Sequence, residues 1–285
     1  NDMRKKELLS TEVEHIDITS FDARPIIDSM KKMSFTSRDT ARAADIFSMA
    51  LEDPSCSTWL TLAGSTSAGG CMHIYRDMVK YGLIDAVVAT GASIVDMDFF
   101  EALGFKHYQA KEPVDDRDLR ALYIDRIYDT YIDEEELQTC DAVIKEITDQ
   151  LEPRPYSSRE FIWEMGKWLA AGNAKKPGSL IQTAYEEGVP IFCPAFVDSS
   201  AGFGLVKHQK ERAAAGQPYM MLDAIAGKRP ALTLHGTDYD TPDGTCIRDY
   251  VHVCDLVDAH VLGLKWLQDK RGSRVFNLGT GRGFS

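Results

Sequence analysis

Three stretches of the chain set glycine, hydroxyl and carboxylate residues where a strand should give way to a helix. They are GSTSAGG (Gly64 to Gly70), TGAS (Thr90 to Ser93) with Asp96 and Asp98 just behind it, and CPAFVDSSAGFG (Cys193 to Gly204), which carries Asp198. The first amides of a helix have no intrahelical acceptor, so such a turn presents N–H groups that suit a phosphate. A carboxylate beyond the third strand could accept hydrogen bonds from ribose hydroxyls, and it could equally cap a helix. The first stretch is not a P-loop, because Gly70 and Cys71 stand where Lys and Ser/Thr are required, and it is not G-x-G-x-x-G. Two such turns on successive strands fit a nucleotide site. The competing reading, tight turns that hold no ligand, stays open on spacing alone.

Nearer the C-terminus, DGTCIRDYVHV places Arg248 beside Asp249 and Tyr250. A guanidinium can grip a diphosphate with two parallel bonds, and the plainer alternative is a surface salt bridge. His252, Cys254, Asp255 and His260 fall on an apolar helical stretch without zinc-site spacing, so no metal is expected. None of the 11 tyrosines is followed four residues on by lysine, the pair that would tune a tyrosine for proton transfer. The acidic run DEEE (Asp133 to Glu136) reads as charge at a helix N-terminus rather than as a cation site.

The elements that must position these residues alternate between strand and helix, which predicts a mainly parallel sheet covered by helices. STWLTLAG, DAVVATG and VPIFCPA are short apolar runs and read as buried strands. CMHIYRDMVKYG reads as a helix ended by Gly82, and ASIVDMDFFEALG as a turn and helix. Between the second and third strands lie helices with capping signals at Asp133 to Glu136, Ser157 to Glu160 and Ser179 to Gln182.

With 285 residues, 44% hydrophobic and 27% charged, the chain has the composition of a globular protein of one or two domains. It has no apolar run long enough to span a membrane, and the basic N-terminal stretch lacks the apolar segment of a secretory signal. A net charge of −12 disfavours nucleic acid and suits a cationic ligand. Six scattered cysteines with no C-x-x-C pair fit reduced, mostly buried thiols and a cytoplasmic location.

From about Lys5 to Ala226 the sequence resembles the bacterial deoxyhypusine synthase-like family. The resemblance rests on LAGSTSAGG, VVATGASIVDMDFFEALG, YSSREFIWEMGKWL, KPGSLIQTAYEEGVPIFCPAFVDSSAGFG and PYMMLDAIA. It implies a Rossmann-like α/β fold and an NAD-dependent transferase. Such an enzyme moves the aminobutyl group of spermidine, through an imine on an enzyme lysine, to a protein lysine or to putrescine. It also implies a homotetramer with sites at subunit interfaces. The positions matched to NAD contacts are Gly64 and Ser65 in the first turn, Thr90, Gly91 and Ala92 in the second, and the acids Asp96 and Asp198. Two departures stand out. Phe203 replaces a carboxylate that eukaryotic members set against a spermidine amine. The stretch holding the catalytic lysine is not matched anywhere, and Lys167 belongs to an earlier helix, where it is read as structural.

From about Gly227 the sequence resembles a different family, UDP-glucose 4-epimerase, through GKRPALTLHGTDYDTPDGTCIRDYVHVCDLVDAHVLGL and SRVFNLGTGRGFS. That likeness implies UDP contacts at Arg248 and Tyr250. The expected organisation is therefore an NAD-binding domain over 1–226 and an epimerase-like fragment over 227–285. The expected function is that of an aminobutyl transferase inactive by itself. The alternatives are a non-catalytic assembly subunit of a full-length relative, or a UDP-sugar binder.

Overall fold

In the structure, a computed structural model, residues 2–194 and 196–223 are described. Arg248, Tyr250 and the epimerase-like stretch lie outside the described residues. The chain begins with three helices, α1 (Asp2–Leu8), α2 (Arg24–Met30) and α3 (Phe35–Glu52). Strand β1 (Trp59–Leu62) follows, then the first glycine turn and α4 (Met72–Lys80). Strand β2 (Ala86–Ala89) leads into the second turn, a wide helical segment Ala92–Phe99, and the single turn α5 (Phe100–Ala102).

Next come β3 (His107–Gln109), α6 (Asp116–Ala121), β4 (Ile124–Ile127), β5 (Thr130–Asp133) and α7 (Glu134–Asp149). The remainder is β6 (Pro155–Ser157), α8 (Ser158–Trp168), α9 (Leu180–Glu187), β7 (Ile191–Phe192), α10 (Ala201–Ala214) and β8 (Met221–Asp223).

The three predicted strands pair in parallel in the order β1, β2, β7, with Leu62 opposite Ala89 and Val88 opposite Phe192. β2 is the central strand, and Ala86, Val87 and Ala89 are buried. β1 departs from the expectation of burial. As an edge strand it has one neighbour, only its last residue Leu62 is buried, and Trp59 is 58% exposed. A second parallel pair joins β6 to β8. Helix α9 packs between α4 and α8, and α10 packs on α7. The core joins these layers through Phe99, Phe100, Phe161 and Phe196, the last two meeting edge to face at 5.4 Å.

The capping signals mark real helix starts. Asp133 accepts from the Glu135 amide and begins α7, with Glu134, Glu135 and Glu136 in its first turn. Ser157 and Glu160 bond each other's backbone amides at the start of α8. Ser179 accepts from the Gln182 amide at the start of α9.

Besides the expected helices, the region between the second and third strands holds strands that the sequence reading did not include. It contains an antiparallel sheet in the order β3, β5, β4, with its own small core of Leu8, Leu119, Ile124 and Tyr131. The hairpin β4–β5 turns on Tyr128 and Asp129, and Tyr128 has φ 53°. Such turns normally announce themselves with Asn-Gly or Asp-Gly, and a tyrosine in that conformation gives no such signal. Of the four cysteines described, Cys140 and Cys193 are buried, Cys71 is half-buried and Cys56 is exposed.

Candidate functional site

All three strands of the parallel sheet end at the same edge, where ligands collect in open α/β sheets. The residues that follow each strand are brought together there. The Thr90 amide donates to the carbonyl of Leu62 at 3.1 Å, and the Ser93 hydroxyl donates to the carbonyl of Gly64 at 3.2 Å. Thr90 and Ser93 share a further hydroxyl contact at 3.0 Å. The two glycine turns are thus bonded to each other across the β1–β2 boundary.

Gly64 has φ +77°, which favours glycine, and a Cβ built on it would meet nothing within 4 Å. Gly64, Thr90 and Ala92 are exposed, and Ser65 is half-buried. This leaves a run of accessible backbone. Within the first turn Ser67 is buried and its hydroxyl has no partner. An accessible run of backbone thus lies beside a buried hydroxyl that has no protein partner.

Gly91 plays a different part. It is buried, and a Cβ there would lie 2.6 Å from the Ser199 Cβ and 3.2 Å from the Phe196 carbonyl. Its missing side chain lets the third turn, the short helix Phe196–Asp198 and Ser199, close against the second. Asp198 sits in that short helix. Asp96 connects the same two turns, accepting from the Ser200 hydroxyl at 2.6 Å and the Ser200 amide at 3.2 Å. Burial raises the Asp96 pKa, and the two Ser200 bonds offset part of that.

Asp141, on α7, was not singled out by sequence reasoning. Burial pushes its carboxyl up to about 6, with the charge of Asp96 adding, and its Oδ1 is buried without a partner. No local motif links residues 45 apart in sequence, so only the packing of α10 on α7 reveals the neighbourhood.

Asp98, next to Asp96 in the motif, turns away from the edge. It accepts from the Ser179 hydroxyl (2.9 Å) and from the amides of Leu180 (2.7 Å) and Ile181 (2.9 Å), so it caps α9. Lys167 is exposed and pairs with Glu164 at 3.3 Å.

A second polar cluster joins α5 to the N-terminus of α4. Glu101 is held by His15 and His107, each at 2.7 Å, and His15 also accepts from the Met72 amide that begins α4. Burial raises the Glu101 pKa, but the hydrogen bonds from His107 and His15 outweigh it and hold the carboxyl at about 2. A depressed carboxylate stabilises the fold above its unfolded pKa of 4.5 and loses that contribution as pH falls toward 2. Acid titration of wild type should therefore show stability falling steeply between those values, and Glu101→Gln should flatten that slope. The same substitution should cost on the order of 3 kcal/mol at neutral pH. Urea midpoints measured across the acid range check both; equal slopes in the two proteins would refute the assignment.

A family model described as deoxyhypusine synthase matches residues 25–229. The chain belongs to the deoxyhypusine synthase family. A deoxyhypusine synthase-like protein of Caulobacter vibrioides is 81% identical over 226 residues, covering 79% of this chain and 62% of that protein. A deoxyhypusine synthase-like protein of Coxiella burnetii is 71% identical, covering 72% of this chain and 58% of its own. The one from Elusimicrobium minutum is 54% identical, with 70% and 54% covered. The chain thus spans about three-fifths of the length of the deoxyhypusine synthase-like relatives it matches. A second family model, described as NAD dependent epimerase/dehydratase family, matches residues 199–279. No helix among the described residues is long and apolar enough to cross a membrane.

Proposed function

We propose that residues 1–226 are the NAD-binding part of a deoxyhypusine synthase-like aminobutyl transferase acting on polyamines, spermidine or putrescine, or on a protein lysine. The observation that carries this reading is the Ser93–Gly64 bond, which sets two exposed glycine turns side by side at the C-terminal edge of a parallel sheet. In this reading Gly64, Ser65, Thr90 and Ala92 are the turn residues beside the phosphates, Gly91 lets the third turn close, and Asp96 and Asp198 are the acids assigned to the cofactor. When bound, NAD supplies a hydride acceptor. The chain's own residues bind and orient it.

We set the boundary with the epimerase-like stretch at Ala226/Gly227, where the sequence changes its resemblance. In this reading Arg248 and Tyr250 keep the UDP-contacting positions of the second family, without a matched catalytic pair.

Calorimetric titration of the chain with NAD should show saturable binding, and Asp96→Ala should weaken it at least about tenfold by removing a charge-assisted acceptor. With spermidine added, the chain alone should give no aminobutyl transfer, because no residue matches the family's catalytic lysine. Heats no larger than dilution would sink the NAD reading. Spermidine turnover by the pure chain would sink the prediction of inactivity.

A further inference from the structure

Asp141 is a half-buried carboxyl that none of the assigned cofactor contacts uses. It sits on α7 where α10 arrives, and α10 carries glycine at the point of approach. A Cβ on Gly204 would lie 2.5 Å from the Asp141 carbonyl and 3.1 Å from the Ile144 Cβ. The start of α10 is thereby pressed against α7 at this residue.

Ser200 holds the cap position of α10, yet its hydroxyl makes no capping bond to that helix. It donates instead to Asp96 at 2.6 Å, and the same hydroxyl acts on the Asp141 carboxyl. Asp96 and Asp141 thus meet across a single O–H. One hydroxyl proton cannot satisfy two carboxylates, and the buried Oδ1 of Asp141 has no partner among the described residues. A proton on Asp141 resolves the conflict. Asp141 then donates to the Ser200 oxygen and Ser200 donates to Asp96, so each contact holds one hydrogen.

The surrounding charges favour that state. Burial, with Asp96 and Glu134 adding, pushes Asp141 up to about 6, while His107 favours the charged form of Asp96. Cys140, next to Asp141, is pushed up by burial and by both carboxylates. Cations of the two helices are engaged away from the pair: Lys145 with Asp149 and Glu211, and His208 with Asp149 at 2.6 Å.

We propose that Asp141 is a positioning residue of the cofactor edge, which in its protonated form holds the Ser200 hydroxyl on Asp96. This inference rests on the reading of Asp96 as an NAD contact. The hold is complete in acid and weakens as pH rises through about 6.

Calorimetric titration of the full chain with NAD tests it. Wild-type affinity should fall at least about threefold between about pH 6 and 8. Asp141→Asn, whose amide N–H can donate to Ser200 at every pH, should reduce that fall and bind NAD more tightly than wild type at the upper end. Asp141→Ala, which has no donor, should bind weakly throughout. In a Ser200→Ala background, Asp141→Asn should leave affinity unchanged, because the link is gone. A merely structural aspartate would give neither the tighter binding nor the dependence on Ser200. Urea unfolding without NAD reads the same proton: wild type should lose more stability than Asp141→Asn as pH rises through about 6.

Equal pH slopes in wild type and Asp141→Asn, in either measurement, would overturn the proposal. So would a wild-type affinity that holds or rises across the range, a result that requires no variant to fold. Absent NAD heats at every pH would instead sink the NAD reading itself, an outcome distinct from heats whose slopes coincide.

Discussion

Asp98→Ala should lower the stability of the protein by roughly 2–4 kcal/mol, because it strips the acceptor from three donors at a buried helix start. Asp98 is 1% exposed and receives the Ser179 hydroxyl and the Leu180 and Ile181 amides, two of the orphan N–H groups of α9. Alanine leaves those amides without water or protein to bond. Burial pushes the Asp98 carboxyl up to about 6 despite the bonds from Ile181, Leu180 and Ser179, so the ionised form carries a desolvation cost that offsets part of its value.

The sign of the pH dependence follows from that. A carboxyl whose folded pKa lies above its unfolded value of 3.8 contributes stability in acid that is lost as pH rises through 6. Urea unfolding near neutral pH should show the alanine variant well below wild type. Asp98→Asn, which keeps one acceptor, should fall between them. The stability of wild type should decline from pH 4 to 6 more than that of Asp98→Ala. A variant as stable as wild type at neutral pH would show that α9 is capped by other groups.

Asp98 also marks the limit of what the sequence discloses. The parallel sheet, its three turns and the starts of α7, α8 and α9 were legible, since each is written in local pattern, an apolar run or a capping pair. Asp96 and Asp98 are one residue type at adjacent even positions, and nothing local separates a site carboxylate from a buried cap. Only the arrival of α9, some 80 residues later, divides their roles. The antiparallel sheet was hidden for a related reason: its hairpin uses Tyr128 at φ 53° where a readable signal needs glycine or asparagine. The exposure of β1 was missed because an edge strand and a central strand have the same apolar content.

Gly91→Ala should cost more than its chemistry implies, and it tests whether closure of the third turn matters to the site. The backbone at Gly91 has φ −59° and ψ −39°, which alanine adopts freely, so the effect is purely steric. The added carbon would lie 2.6 Å from the Ser199 Cβ and 2.8 Å from its Oγ, distances that force the turn from Phe196 to Ser200 outward. Forced shifts of this kind cost about 1–3 kcal/mol.

The displaced turn carries Ser200, which bonds Asp96, and Asp198. NAD affinity should therefore fall more than about tenfold even though no proposed contact is deleted, because a small misplacement in a bound geometry is expensive. Ser199→Gly in the same chain removes the Cβ and hydroxyl that collide, the two shortest of these contacts, and should recover much of both losses.

Gly64→Ala provides the contrast. Nothing lies within 4 Å of its Cβ position, so its cost comes only from the left-handed backbone, about 1–2 kcal/mol, and Ser199→Gly should not rescue it. Equal rescue of the two alanine variants, or a Gly91→Ala protein that binds NAD as wild type does, would show that the third turn is not held by this contact.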